Sequence, residues 1–158
     1  MREELVEAVL RVVEAIPPGR AATYGMIAAA LCTGPRVVGL IMRDWGGGVP
    51  WWRVVNVHGT FPTTVRGEGF SEWEREGIPH DPTRGKVLVK ACVVEQDWLD
   101  AVARQVIENL QNDVHQEQEQ LRDFLDKEIK KLEKERKNIS QEIDSVQQLR
   151  MKAMKEEE

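Results

Sequence analysis

Cysteine is scarce in this chain: Cys32 and Cys92 are the only two, and they stand far apart. That excludes a disulfide framework or a zinc-ribbon spacing and fits the reducing cytosol, so a cytoplasmic protein is expected. No run of about 18 apolar residues occurs, which leaves no single segment expected to cross a membrane. The opening stretch, MREELVEAVL, has acids where a secretion signal would have bases followed by a purely apolar run. Charge of one sign is not in large excess either, since 22 basic and 27 acidic side chains leave a net of −5. Bulk charge therefore makes no case for nucleic acid, and any DNA contact must come from a local patch in the first half. His58 and His80 have no partners at metal-ligand spacing and read as loop residues, so no metal or cofactor is expected.

The most informative scarcity is regional. All 12 Gly, 7 Pro and 5 Trp lie at or before Trp98, and Val106 to Glu158 contains none of them. The same C-terminal stretch carries 14 acidic and 10 basic side chains. One compact domain rarely divides its composition this way. The expected organisation is a globular domain over residues 1–98 and a long helical extension over 99–158.

Within the first part, Leu5, Val6, Val9, Leu10, Val12, Val13 and Ile16 recur at helical spacing, and Pro17-Pro18-Gly19 ends the helix. Thr23 can cap a second helix through Tyr24, Ile27, Ala28 and Leu31. A third helix is expected from about Pro35 to Met42, with Pro35 in its first turn. Two short helices joined by a tight turn form a helix-turn-helix candidate. Gly46-Gly47-Gly48 reads as a flexible loop, and Val49 to Val57 (VPWWRVVNV) as a strand or extended segment. Phe61 to Gly69 reads as loop, Phe70 to Gly77 as a short helix, and Lys86 to Val94 as a strand of imperfect parity.

From about Glu95 onward nothing breaks a helix. Leu125, Ile129, Leu132, Arg136, Ile139, Ile143, Val146, Arg150 and Ala153 alternate steps of four and three, an a/d seam with Arg at two a positions. Ile107, Leu110, Val114, Leu121 and Phe124 fit a frame shifted by one residue, and a local change in supercoil is expected where the frames meet. Self-association through residues 107–153 is expected, most simply as a homodimer.

The stretch from Ile16 to Phe61 is the most specific. It reads IPPGRAATYGMIAAAL, then GPRVVGLIMRDW, then VPWWRVVNVHGTF. These three motifs, in this order and spacing, resemble the DNA-binding domain of the O6-alkylguanine-DNA alkyltransferases. They resemble more closely its alkyltransferase-like relatives. The resemblance covers about residues 3–100 and not the C-terminal helix. It implies a mainly α fold with a small β component: a winged helix-turn-helix-like DNA-binding domain, here followed by the long helix.

In the transferases the extended segment is Pro-Cys-His-Arg-Val, where Cys accepts the alkyl group and His activates it. A thiolate is the nucleophile such chemistry needs. Here the segment is Pro50-Trp51-Trp52-Arg53-Val54. Trp51 stands at the acceptor position and Trp52 at that of the activating His, which the alkyltransferase-like proteins usually keep. The resemblance thus implies no enzyme, but a lesion pocket formed by Trp51, Trp52, Val54 and Tyr24. Tyr24, in Ala22-Thr23-Tyr24-Gly25, matches the Tyr that presses on a backbone phosphate and helps to rotate the nucleotide out. Arg36, in Pro35-Arg36-Val37-Val38-Gly39, matches the Arg that enters the duplex and fills the gap. Extruding a base leaves a hole, and a guanidinium can both stack and donate hydrogen bonds there.

The family's recognition helix enters the narrow minor groove, which favours small residues on its face. Gly39 fits and Leu40 is bulkier than usual. Arg43, Arg53 and Arg20 are candidate phosphate contacts. Cys32 and Cys92 lie outside the motif and read as buried small apolar residues. The implied function is recognition of O6-alkylguanine in double-stranded DNA by base flipping, with repair passed to nucleotide excision repair proteins. A second reading is a structural, oligomerising coiled-coil protein, natural fusion or engineered chimera, in which the DNA-binding domain is a passenger.

Overall fold

The computed structural model describes residues 2–61 and 66–157. They form two compact units, one through Gln111 and one from Asn112. In the first, α1 (Glu3–Ala15) turns Ala8, Val9, Val12 and Val13 inward, the face its apolar spacing predicts. Ile16 follows and is itself buried. Pro17 to Arg20 then reverse the chain: Gly19 sits at φ +82, and the Arg20 N–H donates to the Pro17 carbonyl at 3.1 Å. Pro18 and Gly19 occupy the two central positions that a type II turn asks of Pro and Gly.

Strand β1 (Ala22–Thr23) pairs in parallel with β2 (Val54–Val55), Ala22 opposite Val54. Between them lie α2 (Tyr24–Ala30) and α3 (Pro35–Trp45). Thr23 caps α2, its hydroxyl accepting from the Met26 N–H at 3.1 Å. The two helices are bent 107° from each other, the geometry of a helix-turn-helix. Their inward residues Ile27, Ala28, Val38 and Ile41 join the α1 core.

The turn between them corrects one expectation. Cys32 is exposed, not buried. It occupies the left-handed region at φ 53, where the Cys32 and Thr33 N–H groups bond back to the Ala29 and Ala28 carbonyls. That is the Schellman ending of a helix, whose left-handed position normally holds Gly. Cys92 is buried, as expected.

The segment after α3 is more tightly wound than its composition suggests. Gly46–Gly48 is a 3-10 turn, not a loose loop, and a Cβ on Gly46 would come 3.1 Å from the Met42 methyl. Of Val49–Val57 only Val54 and Val55 form a strand; Trp51–Arg53 is another 3-10 turn, closed by the Arg53 N–H on the Pro50 carbonyl at 3.1 Å. The extended reading failed because both indoles and the Arg53 side chain are held by groups from elsewhere in the unit, so the backbone turns to deliver them.

Helix α4 (Arg66–Glu76) starts earlier than expected and ends at Gly77, with φ +71. The loop reading therefore fails over 66–69, while residues 62–65 lie outside the described residues. A short antiparallel hairpin joins β3 (His80–Asp81) to β4 (Lys86–Val87), so His80 lies on a strand, its ring against Trp73. The strand expected over Lys86–Val94 stops at Val87, and α5 (Val89–Cys92) replaces the rest. Leu88 is exposed where a one-sided strand would bury an apolar residue. A second core gathers Ala21, Val55, Phe61, Trp73, Ile78, Val87 and Cys92.

Helix α6 runs from Gln96 to Glu156. Its first turns belong to the core, since Leu99, Ala103 and Val106 are buried and Leu110 packs on them. In the second unit every described residue is helical or in the terminal turn, and all are exposed. The fold is mainly α with a small β component, a helix-turn-helix domain and a long C-terminal helix.

Candidate DNA-binding surface

Helix α3 divides cleanly. Val38, Ile41 and Met42 face the core, while Arg36, Leu40 and Arg43 are exposed and Gly39 is half-exposed. Residues 36, 39, 40 and 43 follow i, i+3, i+4, i+7 spacing and form one outward stripe. Gly39 has open space where its Cβ would be, with nothing within 4 Å. A glycine inside a helix costs about 1 kcal/mol relative to alanine, so packing within this protein gives no reason for it. Arg36 has no side-chain partner recorded among the described residues, and Arg43 makes only a surface ion pair with its neighbour Asp44 at 3.0 Å. Both guanidiniums stand over solvent on the same face as a helix position kept bare.

Tyr24 opens α2 and packs half-buried against the α1 core. Burial pushes its phenol pKa up from 10.0, so the hydroxyl remains a protonated donor across the neutral range. Trp51 lies between the two cores and touches both, edge-on to Trp52 at 5.8 Å and to Phe61 at 5.5 Å between ring centres. Val54 does not reach this surface; it is fully buried in the β1–β2 pair. The strand that carries it is interior, so Val54 is no pocket wall.

Two candidate phosphate contacts have internal partners instead. Arg53 is 12% exposed and Glu76 4%, and they form an ion pair whose shortest contact is 2.5 Å. The Arg53 Nε lies 3.1 and 3.0 Å from the two Glu76 oxygens, and its Nη1 donates to the Ile16 carbonyl at 2.7 Å. Arg53 is thus a tie between the Trp51–Arg53 turn, α4 and the end of α1, not a DNA contact. Arg20 donates to the Cys92 and Val93 carbonyls, both at 2.9 Å.

Sequence reasoning missed Glu76, the centre of this tie. The Trp52 indole N–H donates to it at 2.9 Å and the Gly19 N–H at 3.2 Å. Burial pushes its carboxyl up, but the bonds from Arg53, Trp52 and Gly19 and the Arg53 charge outweigh that and hold it below 4.5. An acid at the last turn of a helix is unfavourable beside the helix dipole, and that misfit was the signal available in the sequence. Trp73 was missed too: it is fully buried, and its indole N–H donates to the Trp52 carbonyl at 2.7 Å. Trp52 is thereby clamped at its ring nitrogen and at its backbone.

Burial pushes the Cys92 thiol pKa up, against the lowering effect of Arg20, which favours the protonated form.

Residues 4–76 match the family described as 6-O-methylguanine DNA methyltransferase, DNA binding domain. Among solved structures the chain is similar to S. pombe Atl1, crystallised in complex with damaged DNA containing O6-carboxymethylguanine. The two share 27% identity at a TM-score of 0.52, over 60% of this chain and 99% of that one. That protein is spanned almost whole, and the present chain has length to spare. No curated protein sequence matches the chain.

Proposed function

We propose that the N-terminal unit recognises O6-alkylated guanine in duplex DNA and performs no chemistry on it. The observation that carries this reading is the outward face of α3, with Arg36, Gly39, Leu40 and Arg43 together and an unexplained glycine at its centre. A bare helix position flanked by two cations suits close approach to an anionic groove. The match of residues 4–76 and the likeness to a protein crystallised on O6-carboxymethylguanine DNA support the same ligand. In this mechanism Arg36 enters the duplex, Tyr24 presses on a backbone phosphate as the base turns out, and the lesion rests against Trp51 and Trp52. Flipping costs a few kcal/mol, which stacking on indole and the inserted guanidinium offset. Trp51 has no nucleophilic atom to receive an alkyl group, and the complex is passed to excision repair proteins.

The test is binding to matched duplexes with and without one O6-methylguanine across a salt series. Tighter binding to the modified duplex is expected, with affinity falling as salt rises. Equal affinity for both would overturn lesion recognition. Incubation with duplex carrying a labelled O6-methyl group should leave the protein unlabelled; stoichiometric label on the exposed Cys32 or on Cys92 would overturn the non-enzymatic reading.

The same proposal gives the C-terminal unit a role in self-association. Leu125, Ile129, Leu132, Ile139, Ile143 and Val146 are each 49–64% exposed, and an isolated helix has no means to bury them. Leu110 is already packed in the first unit, so the free stripe is shorter than residues 107–153 and begins at Val114. A passenger role for the first unit would appear as self-association without any DNA affinity.

A further inference from the structure

We infer that the outer face of the C-terminal helix is a second contact for duplex DNA, a stripe of lysines that takes backbone phosphates beyond those met by the first unit. The inference rests on the reading that the first unit binds duplex DNA, and it asks nothing of the apolar seam. The C-terminal stretch is acidic as a whole, which conceals how its charges are sorted. From Lys127 to Lys155 there are 9 basic and 5 acidic side chains, a net of +4, and the excess acid lies before and after that segment.

The charges are sorted around the helix as well. The series two residues behind the seam, from Lys127 to Lys155 in the same steps of four and three, holds five lysines, two glutamines, Asn138 and Ser145, and no acid. Lys130 and Lys137 lie beside it, so all seven lysines of the segment share the side away from the seam. Four of the five acids, Glu128, Glu133, Glu135 and Glu142, fall on the positions that border the seam, and only Asp144 is on the outer side. Every one of the seven lysines is exposed. None has an ion-pair partner recorded among the described residues, although Lys131 and Glu135, like Glu133 and Lys137, stand four apart.

A face that only solubilises a helix intersperses the two signs. This one is built from donors, since Lys, Asn, Gln and Ser are side chains that donate to phosphate oxygens. Of its neutral members Ser145 is bonded within the helix, to the Gln141 carbonyl at 3.0 Å. The series rises over about 42 Å, longer than one turn of duplex at ~34 Å. Its ligand is therefore an extended polyanion and not a single phosphate group. Duplex DNA fits better than an anionic membrane. A helix lying in a membrane buries its apolar face, which here would carry Arg136, Arg150 and the bordering glutamates into the headgroups. A duplex needs only the outer face. Helix α6 also leaves the first unit without a break, so the stripe is tethered to any duplex that unit holds, which raises its effective concentration. Lysine offers a mobile point charge and phosphates carry no sequence, so the stripe adds affinity for any duplex and no preference for the lesion.

The experiment is a salt series on the full chain with a duplex of about 40 base pairs, with and without one O6-methylguanine. The variant Lys127→Gln/Lys130→Gln/Lys131→Gln/Lys134→Gln keeps helix propensity, because Gln and Lys rank alike. It should bind both duplexes about tenfold or more weakly, with their ratio unchanged, and flatten the plot of log affinity against log salt by about 2 or more, at ~0.9 per lost phosphate contact. Gln141→Lys/Gln148→Lys, on the stripe, should steepen that plot. Ser140→Lys/Gln147→Lys adds the same charge at the seam border and should leave it unchanged. Equal slopes for the parent and the quadruple variant, or equal steepening by both double variants, would overturn the stripe and leave lesion recognition intact. A parent that binds both duplexes equally, with the slope still flattened in the quadruple variant, would support the stripe and overturn lesion recognition. A quadruple variant that keeps its DNA affinity but loses binding to phosphatidylserine vesicles would overturn the DNA assignment in favour of a membrane.

Discussion

The two units use apolar residues in opposite ways. In the first, Val9, Val12, Ile27, Ile41, Val54, Trp73 and Leu99 are almost wholly buried by their own chain. In the second, Leu132, Ile139, Val146 and Leu149 are more than half exposed, although their spacing is as regular as that of α1. Amphipathic periodicity specifies a face and not what covers it. The first unit folds that face onto α2, α3, the start of α6 and the β1–β2 pair. The second offers one helix, so burial requires another chain or another segment.

Four predictions sharpen that contrast. The largest effect is expected where the first unit holds its buried charge. Arg53→Ala leaves the Glu76 carboxylate without its cation and should destabilise the first unit by about 3–5 kcal/mol in denaturant unfolding. Ile139→Asp, by contrast, should remove the dimer in sedimentation and leave the unfolding midpoint of the first unit unchanged. A normal midpoint for Arg53→Ala, or a lost first unit for Ile139→Asp, would dissolve the distinction between self-contained and partner-dependent burial.

Next is the distinction between tied and free arginines. Arg36→Ala should weaken binding to modified duplex by about 1–3 kcal/mol with no loss of stability. Arg53→Lys should affect stability far more than DNA affinity, because a single ammonium cannot reproduce the fork that holds Glu76 and the Ile16 carbonyl. Tyr24→Ala should weaken modified-duplex binding too; unchanged binding by both Arg36→Ala and Tyr24→Ala would refute the roles assigned to them.

Glu76 supplies the pH dependence. Its carboxyl lies below 4.5 in the folded protein, so it binds protons more weakly there than in the unfolded chain. Its contribution is present above pH 4.5 and is lost as pH falls through the folded value. Unfolding monitored between pH 6 and pH 3 should show that loss, and Glu76→Gln should flatten it. Equal acid sensitivity in both proteins would place the titrating group elsewhere.

The smallest effects concern two backbone positions of opposite logic. Gly39→Ala should stabilise the fold by up to about 1 kcal/mol, since nothing obstructs the added methyl, and should weaken DNA binding. Cys32→Gly should also stabilise, by about 1 kcal/mol, by relieving a left-handed non-glycine residue, with DNA affinity unchanged. Gly39→Ala that binds modified DNA like the parent would remove the main support for α3 as the contact face.

Local signals carried α1, the Thr23 cap, the α2–α3 pair and α6, because each depends on residues a few positions apart. Short-range pattern failed over residues 49–57 and 86–94, where composition argued for strands and the chain coils instead. There the decisive contacts come from far along the chain: Arg53 reaches Ile16 and Glu76, and Trp52 is held by Glu76 and Trp73. Motif position alone made Arg20, Arg43 and Arg53 equivalent candidates for phosphate contacts. Only the tertiary structure separated them, by placing a carboxylate beside Arg53 in the interior and leaving Arg43 on the exposed face of α3. A residue's type and spacing determine what chemistry it can offer; whether that chemistry faces outward is decided by which distant groups pack against it.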